Sequence, residues 1–123
     1  MPADEFVARW VPVEFFTEAV PRPVQEAMAA VVRDFHPLGF RLMAKALADS
    51  DTTELLPHIE VPTLLLWGHD DVRSPLSVAE QFRDAIPGAK LAVIPQAGHI
   101  SNMEQPETFN AHVRRFCTSE QAT

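Results

Sequence analysis

The chain has 123 residues, room for one domain or a piece of one, and enough to bury a hydrophobic core. Apolar residues make up 46% and charged residues 22%, as in ordinary soluble globular proteins, and the formal net charge of −7 argues against nucleic acid and anionic membrane surfaces as partners, because both require a basic face. The single cysteine, Cys117, excludes an internal disulfide framework, no apolar stretch approaches a membrane span, and Met1 to Arg9 carries acidic Asp4 and Glu5 with no apolar signal-peptide core. A cytoplasmic protein is the expectation.

A first short helix is predicted around Val13 to Ala19, closed by Pro21. Val24, Ala27, Met28, Val31 and Phe35 then recur at three- and four-residue steps, as do Leu38, Leu42, Ala46 and Leu47, which predicts two helices with those apolar faces. Pro23 and Pro37 each stand where a first helical turn tolerates proline, and His36 reads as a helix-entry residue. Near Pro57 the pattern changes. Val61 to Trp67 reads as a buried strand, and Pro75 to Ile86 as a helix with Ser74 as N-cap and Val78, Ala79, Phe82 and Ile86 inward. Pro87-Gly88 makes a turn, Lys90 to Ile94 a second strand, and Pro106 opens a last helix with Phe109, Val113, Phe116 and Cys117 facing the core. Strand, helix, strand, helix implies an α/β fold with a parallel β-α-β-α unit and a right-handed crossover.

Parallel strands end at the same edge of their sheet, so the residues that follow them become neighbours. Gly68-His69-Asp70-Asp71 follows the first strand and Pro95-Gln96-Ala97-Gly98-His99 the second. An acid and a histidine thus come to one edge, the arrangement by which a carboxylate orients an imidazole and stabilises its protonated form in nucleophilic catalysis. His69-Asp70-Asp71 as a metal site is disfavoured, because three adjacent side chains rarely converge on one ion. Cys117, on a predicted core face, reads as packing.

"VPTLLLWGHDDVRSP" followed by "IPGAKLAVIPQAGHISNMEQPETFNAHVRRF" resembles the last two strands of the α/β-hydrolase superfamily, and "AGHISNMEQPETFN" resembles especially its 3-oxoadipate enol-lactonase and esterase branch. The resemblance implies Asp71 as the triad acid and His99 as the triad histidine, with Glu104 and Pro106 at the family's usual start to the last helix. It also implies a helical cap over residues 1–54, the C-terminal part of the hydrolase core over 55–118, and a flexible tail at 119–123. Trp67, Ile100 and Met103 are candidate substrate contacts, and Phe35, Phe40, Met28 and Met43 divide between pocket and core. No metal or organic cofactor is implied.

The family's nucleophile lies in G-x-S-x-G, and no glycine of this chain begins that motif. Acid and base alone cannot carry out acyl transfer, because the acyl group has nothing to attach to and the developing oxyanion nothing to stabilise it. The expectation is therefore the back half of an ester or lactone hydrolase, inactive by itself. The first strand would also leave an apolar edge, which an N-terminal half chain or a second copy of this chain would pair. The alternative is a non-catalytic interaction module that uses the same edge.

Overall fold

The structure, a computed structural model, describes Glu5 and residues 15–120. Helices α1 (Arg22–Arg33) and α2 (Pro37–Asp49) come first, then a 3-10 helix at Thr53–His58 that spans the expected boundary at residue 54. Strand β1 (Leu64–Gly68), helix α3 (Leu76–Ala85) and strand β2 (Lys90–Ile94) follow. A short helix α4 (Ser101–Glu104) and the long helix α5 (Pro106–Glu120) complete the described residues. The α/β class and the β-α-β-α order are those the sequence implies, and no described helix is long and apolar enough to cross a membrane.

β1 and β2 pair in parallel from Leu64 opposite Lys90 to Gly68 opposite Ile94. Both strands therefore stop at one level, and both following loops leave from the same edge. α3 packs on both strands, with Ala79 and Ile94 fully buried between helix and sheet, and α5 lies against β2. β1 starts later than expected: Val61 is 67% exposed, and pairing begins only where Lys90 N–H donates to Thr63 O at 2.9 Å. Its residues Leu64 to Trp67 are half-buried, not buried on both faces, because β2 is its one partner strand among the described residues.

α1 buries a different stripe from the expected one. Val24 and Met28 are half-buried as anticipated, but Ala29 and Val32 form the buried face, while Ala27 and Phe35 are exposed and Val31 is 55% exposed. Both stripes have helical spacing; the choice is made by what meets the helix, namely Phe16 and Val20 from the preceding segment and Ile100 and Met103 from the region after β2. The described part of the helix expected at Val13 to Ala19, from Phe15 onward, is turns and bends, and Val13 and Glu14 lie outside the described residues. On α2 the apolar face is wholly exposed, Leu47 by 70%. His36 caps this helix as expected, its Nδ1 accepting from Gly39 N–H at 3.3 Å.

Two further expectations are corrected. Ser74 does not cap α3, because the helix begins one residue later than expected: Pro75 holds the N-cap position, with no side-chain bond, and Ser74 belongs to the preceding turn through its N–H and carbonyl. Cys117 is exposed, since a two-stranded sheet meets only the narrow stripe of Phe109, Val113 and Phe116, all half-buried. α5 continues through Ser119, whose hydroxyl donates to Phe116 O at 2.9 Å, and residues 121–123 of the expected tail lie outside the described residues.

Gly68 is where the two post-strand loops touch. A methyl group there would lie 2.1 Å from the Gly98 carbonyl oxygen and 2.4 Å from that of Ala97, distances no packing tolerates. Gly68→Ala is therefore expected to cost about 3 kcal/mol or more, measured by urea or thermal denaturation, because the atoms in the way are backbone and cannot rotate aside.

Candidate active site

The turn after β1 is organised by one carboxylate. Asp71 Oδ1 accepts from Arg73 N–H at 3.0 Å and Ser74 N–H at 2.9 Å, the local closure by which aspartate shapes a turn. Trp67 Nε1–H donates to Ser74 O at 2.7 Å and locks the far side. The turn is sewn to the loop after β2 through His69 N–H to Ile94 O and Asp70 N–H to Ala97 O, both 2.9 Å. In that second loop Gln96 takes a left-handed conformation at φ 53°, a strain of about 1 kcal/mol for a side chain with a Cβ, and Gln105 Nε2 donates to its carbonyl at 3.1 Å.

These constraints bring together two residues 28 positions apart. His99 Nδ1 lies 2.9 Å from Asp71 Oδ2. The Asp71 side chain is 4% exposed and that of His99 30%, so the pair is sheltered on the acid's side and open on the imidazole's. An ionised carboxylate only accepts, so the shared proton sits on Nδ1 and Nε2 is left as the basic nitrogen. Such a ring can take a proton at Nε2 while the carboxylate behind it stabilises the resulting charge.

The neighbouring residues diverge from this pair. Asp70 Oδ1 faces outward to His69 Nδ1 at 2.7 Å, with both side chains largely exposed. Among the described residues no cluster of histidine, cysteine or acidic side chains could hold a metal ion.

The expected substrate contacts separate in space. Trp67 packs on α3, its ring 6.2 Å from that of Phe82, which makes it part of the sheet–helix layer. Ile100 and Met103, beside His99, pack on the cluster of Phe16, Val20, Ala29 and Val32. Phe35 and Phe40 stack on each other at 5.6 Å, Met28 joins the α1 cluster, and Met43 is exposed. A cavity of about 370 Å³ lined by Thr17, Val20, Asp70, Gln96, Glu104 and Gln105, among others, opens beside the loop, and its lining includes neither His99 nor Asp71.

Phe15 and Thr17 are neighbours of the pair that sequence reasoning missed, and for Glu104 it gave a family-like position but no contact. Phe15 O accepts from Ile100 N–H at 3.0 Å, and its ring stands 6.0 Å from the His99 ring. Glu104 accepts from Thr17 and from Gly98. The one available signal was Glu104 following Gly98-His99 at a family-like spacing; nothing local marked Phe15 or Thr17.

The sequence profile described as the alpha/beta hydrolase family matches residues 2–112. The chain is 35% identical over 82 residues to a candidate carbamate hydrolase, RutD, of Caulobacter sp. strain K31, covering 67% of this chain and 31% of that relative. A thermophilic esterase of Thermogutta terrifontis superposes with a TM-score of 0.83 at 31% identity, over 95% of this chain and 43% of the esterase. The enol-lactonase of Burkholderia xenovorans LB400 does so with a TM-score of 0.74 at 28% identity, over 94% and 44%. The chain thus spans 31% to 44% of the lengths of these relatives.

Asp71→Ala removes the acceptor of two backbone N–H groups and of the imidazole, and is expected to destabilise by about 2–4 kcal/mol in denaturant titrations. Asp70→Ala, which loses only a solvent-exposed contact to His69, is expected to stay within about 0.5 kcal/mol of wild type.

Proposed function

The chain belongs to the alpha/beta hydrolase family, and we propose that it carries the base and the base-orienting acid of an enzyme that cleaves a carboxylic ester or lactone, the nucleophile coming from a companion segment. The observation that carries this reading is the 2.9 Å contact of His99 Nδ1 with Asp71 Oδ2 across two loops that leave adjacent parallel strands. His99 Nε2 takes the proton of the attacking hydroxyl and later returns it to the leaving group. Asp71 holds the tautomer and stabilises the imidazolium, without itself becoming protonated. The ester and lactone class follows the esterase and enol-lactonase among the similar proteins, and the candidate carbamate hydrolase extends it to another acyl group.

In this reading residues 1–54 are a helical cap that roofs the site, and 55–118 the C-terminal part of the core. The companion carries G-x-S-x-G and the oxyanion-hole donors, either earlier in a longer polypeptide or on a separate chain, and it pairs with the open edge of β1. No metal or organic cofactor takes part. The wholly exposed apolar face of α2 also favours a second reading, an interaction module whose partner, such as a second copy of this chain, covers these surfaces without chemistry.

One measurement tests the need for a companion, and a second separates the two readings. The chain by itself is expected to give no covalent adduct with a fluorophosphonate probe, by intact mass; a stoichiometric adduct on one of its own serines would overturn the need for a companion. Adding a companion half that carries G-x-S-x-G is expected to restore ester hydrolysis, and His99→Ala to lower it at least about 10³-fold. Restored activity indifferent to that change would remove His99 from its role, and binding without any hydrolysis would favour the interaction module.

A further inference from the structure

We propose that Glu104 is a positioning residue for His99, and that with Thr17 it forms a latch through which the N-terminal helical segment sets the orientation of the imidazole; this role rests on His99 being the base. The two oxygens of Glu104 serve different parts of the chain. Oε1 accepts from the Thr17 backbone N–H and from the Thr17 hydroxyl, both at 2.7 Å. Oε2 accepts from the N–H of Gly98, the residue immediately before His99. On the other side of the histidine, Ile100 N–H donates to Phe15 O at 3.0 Å. Both flanks of His99 are therefore tied to the Phe15–Thr17 stretch, one directly and one through Glu104.

The packing tightens the same joint. The Phe15 ring stands 6.0 Å from that of His99 with 57° between their planes, and the Arg73 guanidinium carbon lies 5.3 Å from the Phe15 ring centre. Arg73 belongs to the turn that Asp71 closes, so Phe15 touches the neighbourhoods of both base and acid. Glu104 itself is held in place, its own N–H donating to Ile100 O at 3.2 Å. A side chain at position 98 would come within 3.1 Å of both Glu104 Oε2 and the Phe16 carbonyl carbon, so glycine there leaves room for the carboxylate to reach the backbone.

A carboxylate is needed because every partner is a donor. Glutamine has the same shape but presents one acceptor and one donor, so whichever way its amide turns, an NH₂ group meets either Thr17 or Gly98. Glu104→Gln therefore opens one half of the latch without removing bulk.

The test is NMR on the ¹⁵N-labelled chain, read at the His99 Nδ1–H proton and at the amides of Gly98 and Ile100. In Glu104→Gln these three are expected to exchange with solvent at least about tenfold faster, the loss of a charge-assisted hydrogen bond, while the Leu64–Gly68 amides keep their wild-type protection. Thr17→Val is expected to act in the same direction with smaller size, and Thr17→Ser, which keeps the hydroxyl, to behave as wild type. If Glu104→Gln fails to fold, shown by lost protection in Leu64–Gly68, Thr17→Val against Thr17→Ser decides alone. Faster Gly98 exchange with an unchanged His99 Nδ1–H proton would overturn the positioning role and leave Glu104 as a structural tie. Failure of the catalytic reading is separately visible in the hydrolysis restored by the companion half: His99→Ala would then leave that activity unchanged, whatever Glu104 does to the exchange rates.

Discussion

The site depends on how closely two backbone segments approach at the C-terminal edge of the β1–β2 pair. Gly68 presents only hydrogen to the carbonyls of Ala97 and Gly98, and the hydrogen bonds from His69 and Asp70 hold the two loops in that contact. Parallel pairing alone would bring the loops near each other; the missing side chain at Gly68 brings them within reach of a carboxylate–imidazole bond. A larger residue there would move Asp71 away from His99 as well as strain the fold, so the stability of the fold and the geometry of the pair share one requirement.

Asp71 combines two tasks that are often given to different residues. One oxygen closes the turn through two backbone donors, and the other faces the imidazole. Burial of the charge is offset by these donors, and they fix the direction of the oxygen that faces His99. Asp70, one residue earlier, has the same chemistry but points outward, and its side-chain partner among the described residues is the exposed His69. Turn geometry, not residue type, separates the two acids.

The N-terminal helical segment has two contrasting sides. Its Phe15–Val20 stretch and α1 are joined to the histidine loop by hydrogen bonds to Ile100 and Glu104 and by the cluster around Phe16 and Val32. α2, by contrast, buries nothing, and Leu38, Leu42, Met43 and Leu47 face outward together with Leu55 and Val61. An exposed apolar stripe of this extent is a surface that a partner normally covers. Under the proposed function the companion that completes the sheet would be that partner.

Where the signal was local, the sequence by itself determined the outcome: the helices whose first turns hold Pro23 and Pro37, the strand Lys90–Ile94, the Pro87-Gly88 turn with Gly88 at φ 71°, and the placing of Asp71 and His99 at one sheet edge. Proline, glycine and apolar period act within a few residues, and strand order carries Asp71 and His99 to one edge by topology alone. Only the tertiary structure decided which stripe of α1 is buried, why Cys117 is exposed, why Trp67 serves α3, and that Glu104 joins Thr17 to Gly98. In each case the residue's own pattern allowed two faces or several partners. The choice came from a segment distant in sequence, whose approach leaves no mark on the local order of amino acids.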